Sequence, residues 1–438
     1  MRRHGSLRMS AVSEVLRLGT YQRFLAAAVC SGVGVWIFQT ALYWAALQSG
    51  STGSVGILVA VISLPSLLLT LPAGYLTDRA GSFWLLLIGQ LAPAIACIGG
   101  IAFVAGDGTI ALGPAALVTF VVGSAYALWN VPALIYVIRI VPARLMGSAI
   151  SLMVLQYAAG RIVGGALGGA LVGAGGAGLA FAVSGVVFAL GVAVVITLPR
   201  VSGLDNRSGN SIRGMLEAVR WVRHAPATLV IIVFSATTSM LAYAYIPLLG
   251  AISRDVIGAG SGGLGILTST SGIGMVASAL TANAVGARLR RGRGIVTLIV
   301  LGAILMAALG VSSILAVSIG LVIAVAYMGS SRSSISQFLL QSLTPPRMRG
   351  RVASLADFMG QTVTIVGSIG VGALAATYGP TAVLLGCSAA ILGVVVVVVL
   401  AWRRFLALDV DREARPVIGN LPYSEGQPGG VGVAIDPL

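Results

Sequence analysis

The sequence contains no lysine. All 27 of its basic residues are arginine, and only 12 acidic residues and two histidines, His4 and His224, stand beside them. Charged residues make up 9% of the 438 positions, where a soluble globular domain carries about a quarter. That is too little charge to clothe a water-facing surface, which excludes a soluble enzyme and a disordered chain. Cysteine is equally scarce. Cys30, Cys97 and Cys387 lie far apart within apolar stretches, so a disulfide-stapled secreted domain is excluded and neither a disulfide nor a metal site is expected. A phosphate-cradling Gly-x-x-x-x-Gly-Lys-Ser/Thr run is missing, which excludes direct ATP drive by this chain. With no nucleophile elbow or triad spacing either, the sequence reads as a non-enzyme that needs no cofactor.

Apolar residues fill the space instead, at 57% of the chain and a mean hydropathy of +1.00. A membrane helix needs about 20 of them in succession. Twelve segments qualify: Tyr21–Gln48, Val55–Leu76, Phe83–Ala105, Ile110–Ile138, Gly147–Val172, Leu179–Leu198, Leu229–Ile252, Leu264–Val285, Ile295–Ile314, Val317–Leu340, Val352–Ala376 and Thr381–Trp402. The period-two alternation of a membrane β-barrel is absent. The first span follows an arginine-rich start but is too long for a signal peptide. The sequence therefore predicts an all-α membrane protein with twelve transmembrane helices.

The arginines set its orientation. Of the 27, 24 fall in the termini and in every second connection, Arg254 alone in the alternate set, and Arg161 and Arg332 inside spans. The positive-inside rule then places both termini in the cytoplasm of a multi-pass protein of the cell membrane. The net charge of +15 is a topology signal, and nucleic acid is not expected as a partner. The organisation reads as a cytoplasmic segment 1–20, a six-helix bundle 21–198, a linker 199–226, a second bundle 227–402 and a polar tail 403–438, expected to be disordered. Within the linker, Ile212–Val222 has the pattern of a short amphipathic helix, read as a tether lying on the inner membrane surface.

An internal repeat is visible. Pro142–Leu152 aligns with Pro345–Leu355 at an offset of 203, and at the same offset Gly164 meets Gly367 and Gly169-Ala-Leu171 meets Gly372-Ala-Leu374. Gly56-Ile-Leu58 likewise meets Gly265-Ile-Leu267, and Arg79 meets Arg288. Six spans plus six in a parallel repeat, forming two pseudo-symmetric bundles, is an alternating-access architecture with a substrate site between the halves near the bilayer midplane.

Two motifs carry a family resemblance. Gly74-Tyr-Leu-Thr-Asp78-Arg79-Ala-Gly81-Ser82, after span two, resembles the loop motif Gly-x-Leu-x-Asp-Arg-x-Gly-Arg of the major facilitator superfamily, with Ser82 in place of the last arginine. Gly160-Arg-Ile-Val-Gly164-Gly165-Ala-Leu-Gly168-Gly169 in span five is similar to that superfamily's antiporter motif, with Gly165 where proline is usual. Stretches such as Trp36-Ile-Phe-Gln39-Thr40 and Leu339-Leu-Gln341-Ser-Leu-Thr-Pro345 resemble the branch that holds the enterobactin exporter and the macrolide and tetracycline efflux proteins. The resemblance implies the major facilitator fold. It further implies secondary efflux by antiport, a gating role for Gly74, Asp78, Arg79, Gly81 and Arg288, and helix packing by Gly160, Gly164, Gly165, Gly168 and Gly169.

A charge in hydrocarbon costs several kcal/mol, so a charge inside a span is paired, hydrated or functional. Asp357 is the carboxylate placed well inside a span. It reads either as the carrier of an exchanged proton or as a static partner of Arg332 or Arg79. Arg161 reads equally as packing support or as a substrate contact. Arg332, in the polar run Gly329–Gln337, reads as cavity-lining. Trp36, Gln39, Tyr43, Trp129, Asn130, Tyr243, Tyr245, Gln337 and Gln361 complete the candidate substrate-binding set, since aromatics with a few polar groups suit an amphipathic ligand. The expectation is a monomeric exporter of a small amphipathic compound (a drug, siderophore or natural product) with protons as coupling ion. An importer of an anionic nutrient and a non-transporting sensor are the alternatives.

Overall fold

In an apolar medium every backbone N–H and C=O must be satisfied within the chain, and runs of this length can do so only as helices. The computed structural model describes residues 12–50, 52–104, 106, 108–200, 212–225, 228–229, 231–232, 235–236, 245–289, 292–345 and 348–401, with no side chain described for some helical residues. In chain order the helices are α1 Gly19–Ser49, α2 Thr52–Ala80, α3 Ser82–Gly100, α4 Leu112–Ile140, α5 Met146–Ile196, α6 Ile212–Arg223, α7 Tyr245–Ala251, α8 Gly260–Leu289, α9 Gly292–Val311, α10 Leu315–Leu343 and α11 Arg349–Ala401. A single π-turn, Ile252–Val256, follows α7. Many hydroxyls within these helices bond back to their own backbone, as Thr40 Oγ1 does to the Trp36 carbonyl at 2.8 Å, and those are satisfied without water.

Among the described residues nine helical segments are long and apolar enough to cross a membrane. Two of them are double. α5 turns back on itself at Gly175 and Gly176, and α11 does so at Gly379, so each contains two of the expected spans. Gly176 (φ 73°, ψ −177°) and Gly379 (φ 81°, ψ 160°) occupy backbone regions that a residue with a Cβ rarely adopts. They are also 203 positions apart, the offset of the sequence repeat. The span expected at Leu229–Ile252 is helical wherever it is described before the π-turn. Large aliphatic side chains, among them Ile95, Val186, Leu280, Val366 and Val397, stand exposed on the outside of the helices, as the acyl chains of a bilayer require.

The repeat governs how the halves meet. α5 packs on α8, and α2 packs on the first half of α11. A Cβ on Gly169 would fall 2.6 Å from Gly265 Cα and 2.7 Å from the Ser261 carbonyl oxygen. In the other seam a Cβ on Gly372 would fall 2.8 Å from Gly56 Cα and 3.2 Å from the Thr52 carbonyl oxygen. Gly169 and Gly372 are repeat mates, and so are Gly265 and Gly56, so the two seams are copies of one contact. Both lie toward the end of the molecule opposite the arginine-rich loops. There Arg254 Nη1, from the π-turn, donates to the Leu47 carbonyl in the last turn of α1 at 2.8 Å.

The segments ahead of each half are also paired. Residues 12–16 are helical, and Glu14 forms an ion pair with Arg144, just before α5. In the linker, Glu217 of α6 forms an ion pair with Arg351 at the start of α11. Glu14 and Glu217 are again 203 positions apart. The amphipathic helix ends one residue later than the sequence pattern predicts, at Arg223.

Candidate functional site

α5 carries two adjacent rows of small residues. Gly160, Gly164 and Gly168 face α1: Cβ atoms there would meet Gly32, Val33 with Trp36, and Ile37 with Thr40 at 2.6–3.2 Å. Gly165 and Gly169, one position round the helix, face α8 of the other half. All five glycines therefore sit where a backbone or a Cβ approaches, with the first row inside the N-terminal half and the second in the seam. Ser269 Oγ of α8 donates across that seam to the Ile162 carbonyl at 2.7 Å.

Arg161 lies four residues before Gly165 and so continues the seam row. Its position is about 12 Å from Gly169 toward the arginine-rich end, at 1.5 Å per residue. It is buried, with only 5% of its surface exposed. The guanidinium carbon lies 4.3 Å from the centre of the Trp36 ring, and Nη1 reaches Met275 Sδ in the C-terminal half at 3.7 Å. Trp36 also packs edge-on to Tyr157, ring centres 6.5 Å apart, and buried Tyr43 lies within electrostatic reach of both Arg161 and Tyr157. Trp36 and Arg161 are thus brought together at the seam, with Gln39 partly buried and Tyr43 buried further along the same helix as Trp36. Tyr157 and Met275 join them. Tyr157 was legible as one helical turn before Arg161, whereas nothing in the sequence places Met275 beside an arginine 114 residues away.

In the other seam Asp357, Gln361, Thr364 and Ser368 recur at intervals of four, three and four on α11 and so share one helical face with Gly372. Ser368 and Gly372 touch Gly56. Asp357 lies about 22 Å from Gly372 by the same helical rise, and there it is exposed. Among the described residues no ion pair of Asp357 is seen. Arg332 is buried on α10 beside Ser331, whose hydroxyl meets Ser278 Oγ of α8 at 2.9 Å.

The remaining expected residues scatter. Trp129 stacks on Phe24, ring centres 6.2 Å apart, and packs over Gly89 in the interior of the N-terminal half, so its ring serves packing there. Asn130 and Gln337 are exposed, Gln361 is partly buried and Tyr245 is buried at the start of α7. Tyr243 lies outside the described residues. Arg79 is exposed in the last turn of α2, where a cation suits the helix C-terminus. Gly81 (φ 80°) makes the turn into α3 in the left-handed region that glycine allows. Gly74, Asp78 and Arg288 fall in helix, with their side chains outside the described residues.

Two helix-based seams, glycine-to-glycine and duplicated, leave one question of kinship. A family model described as Major Facilitator Superfamily matches residues 24–361. The chain belongs to the Major Facilitator Superfamily. No curated protein sequence matches it. Among solved structures, the nucleoside transporter NupG is similar at a TM-score of 0.67 and 14% identity, over 89% of this chain and 100% of that one. A bacterial homologue of the human lysosomal transporter Spinster, inward-facing and unoccupied, is similar at a TM-score of 0.65 and 14% identity, over 91% and 98%. The D-xylose–proton symporter gives 0.63 and 17%, over 85% and 97%. At these identities the likeness is one of fold, and the fold is that of the major facilitators. The chain is accordingly a multi-pass membrane transporter of that superfamily, and its two halves are the bundles between which such proteins hold a substrate.

Proposed function

We propose that the protein is a secondary transporter working by alternating access, and that it exports a small amphipathic compound across the cell membrane in exchange for protons. The observation that carries this reading is the asymmetry of the seams. They are tight, backbone against backbone, at the end away from the arginine-rich loops, the first of them as far along as Gly272 against the Ala158 carbonyl, while Asp357 is exposed on the face of the other seam about 22 Å nearer those loops. With the arginine-rich loops in the cytoplasm, this is the form open to the inside. Trp36 and Arg161 stand at the seam as the substrate-facing group. Asp357 is the carboxylate that can take up a proton on one side and release it on the other. The span-five glycines and the loop motif support export over import.

Export is tested in cells lacking the protein, with radiolabelled macrolide, tetracycline and catecholate siderophore as the panel. Restoring the wild-type chain is expected to lower steady-state accumulation of at least one compound, and Asp357→Asn to remove most of that effect while leaving membrane expression unchanged. Unaltered accumulation across the panel, with inward flux in proteoliposomes, would mean an importer. Wild-type phenotype retained by Gly164→Leu, whose side chain must displace Val33 and Trp36, would mean a protein that does not transport.

A further inference from the structure

Arg161 is a charged group in search of an anion. Its guanidinium offers five N–H donors and is not deprotonated in proteins. One nitrogen, Nη1, has only the weakly accepting sulfur of Met275. Nε and Nη2 are buried without any hydrogen-bond partner among the described residues. No described carboxylate pairs with it. A buried charge left in this condition is strongly unfavourable, and what it lacks is an acceptor that carries negative charge.

The fold itself does not ask for a charge here. The repeat mate of Arg161 is Thr364, at the equivalent point of the other seam. The Gly372–Gly56 contact is built there, with Ser368 in place of Gly165 and a hydroxyl in place of the guanidinium. The charge is therefore a property of this one seam, beyond what the architecture requires. Beside it the surface is aromatic, with Trp36 against the guanidinium and Tyr157 edge-on to Trp36. It is also shared between halves, because Trp36 belongs to α1 and Met275 to α8. Nε and Nη2 are covered in this form, so an anion that reaches them enters as the seam parts, touches both halves and senses their separation.

We propose that Arg161 is the anion-recognition point of the transport site and that the transported class is a small aromatic organic acid, its carboxylate held by Nε and Nη2 and its ring against the aromatic side chains. This rests on the transport reading above and specifies its substrate.

The test uses the full chain in lipid nanodiscs with 2-naphthoate as probe, 2-naphthamide as its neutral isostere, and sodium chloride as the inorganic arm. Calorimetric titration of the wild type is expected to show naphthoate binding at least about tenfold tighter than naphthamide, since a charge-assisted pair is being made in a buried place. In Arg161→Gln the preference is expected to fall to about one, and in Arg161→Lys to an intermediate value, as the charge stays but the two-pronged geometry goes. A readout free of any ligand accompanies it: Arg161→Met is expected to raise the unfolding temperature of the empty protein, because an unpaired buried charge is removed. A lowered temperature for Arg161→Met would show that the arginine supports packing and would overturn the proposal. So would equal affinity for acid and amide, no binding of either, or a stabilisation by chloride alone equal to that by naphthoate. Acid preference lost with panel efflux intact sinks only this assignment. Acid preference kept with no efflux of naphthoate or of any panel compound sinks the transport reading.

Discussion

Arg254 reaches from the π-turn after α7 to the Leu47 carbonyl, in the last turn of α1, and is held in place by Asp255 at 2.6 Å. A cation at a helix C-terminus satisfies an orphan carbonyl and suits the helix dipole, worth about 0.3–1 kcal/mol at an exposed site. This one also bridges the halves at their closed end. Arg254→Ala is expected to loosen that end, seen as a longer and broader spin-label distance between positions 49 and 258 than in the wild type; an unchanged distance would show that the glycine seams close it alone. Arg254 was conspicuous in the sequence as the single arginine on its side of the membrane, yet its partner was not, because a backbone carbonyl leaves no trace in a residue pattern. Arg161 was conspicuous as a charge within an apolar run, and Arg332 as a charge in the polar stretch Gly329–Gln337 inside a span. Trp129 shows the opposite case: an aromatic in a span reads alike whether it lines a cavity or, as here, packs on Phe24.

The helices that precede the two halves turn out to be related parts. Residues 12–16 and α6 each present a glutamate to an arginine at the entry to the long hairpin of their own half, Glu14 to Arg144 and Glu217 to Arg351. A cleft of about 280 Å³ lined by Glu217, Trp221, Met348 and Arg351 marks the second junction. The linker helix thus grips the C-terminal half in addition to tethering the two. The hydrogen bond from Arg144 holds the Glu14 carboxyl below the usual carboxylate range. A lowered value means that the pair contributes above the ordinary glutamate range, near pH 4.5, and that the contribution is lost as pH falls through the lowered value. A spin label at position 13 is therefore expected to gain mobility below about pH 4, and Glu14→Gln to be mobile at every pH. A label whose mobility is flat from pH 7 to 3 in the wild type would show that the pair does not hold the segment. The amphipathic pattern of α6 was legible from its periodicity. Its kinship with residues 12–16 was not, since only Glu14 and Arg17 against Glu217 and Arg220 carry it.

Across the whole molecule, the six-plus-six plan was legible because lipid enforces it: span length follows from bilayer thickness, and the repeat survives in the glycines where the seams close. The merging of spans five with six and eleven with twelve was not, because a single left-handed glycine suffices for a turn that a sequence reader expects to need a polar loop. Both seams close on paired glycines, so adding one methyl to each, in Gly169→Ala with Gly372→Ala, must part the halves or displace backbone. The double variant is expected to lose about 1–3 kcal/mol of stability, as overpacked interiors do, read as a lower unfolding temperature in detergent. Wild-type stability would show that the seams have slack.

Contacts of this kind have a kinetic meaning as well. Where bare backbone rests on bare backbone, as at Gly169 with Gly265, no side chain is seated in a hole on the opposite surface, and it is the few side-chain contacts beside it, such as Ser269 on the Ile162 carbonyl, that must give way before one bundle can roll over the other. Glycine here works as a bearing: it brings the surfaces near enough to seal against small solutes, yet leaves them smooth enough to turn. For the alternating access proposed above, such contacts would favour turning at the same points where they keep the membrane tight.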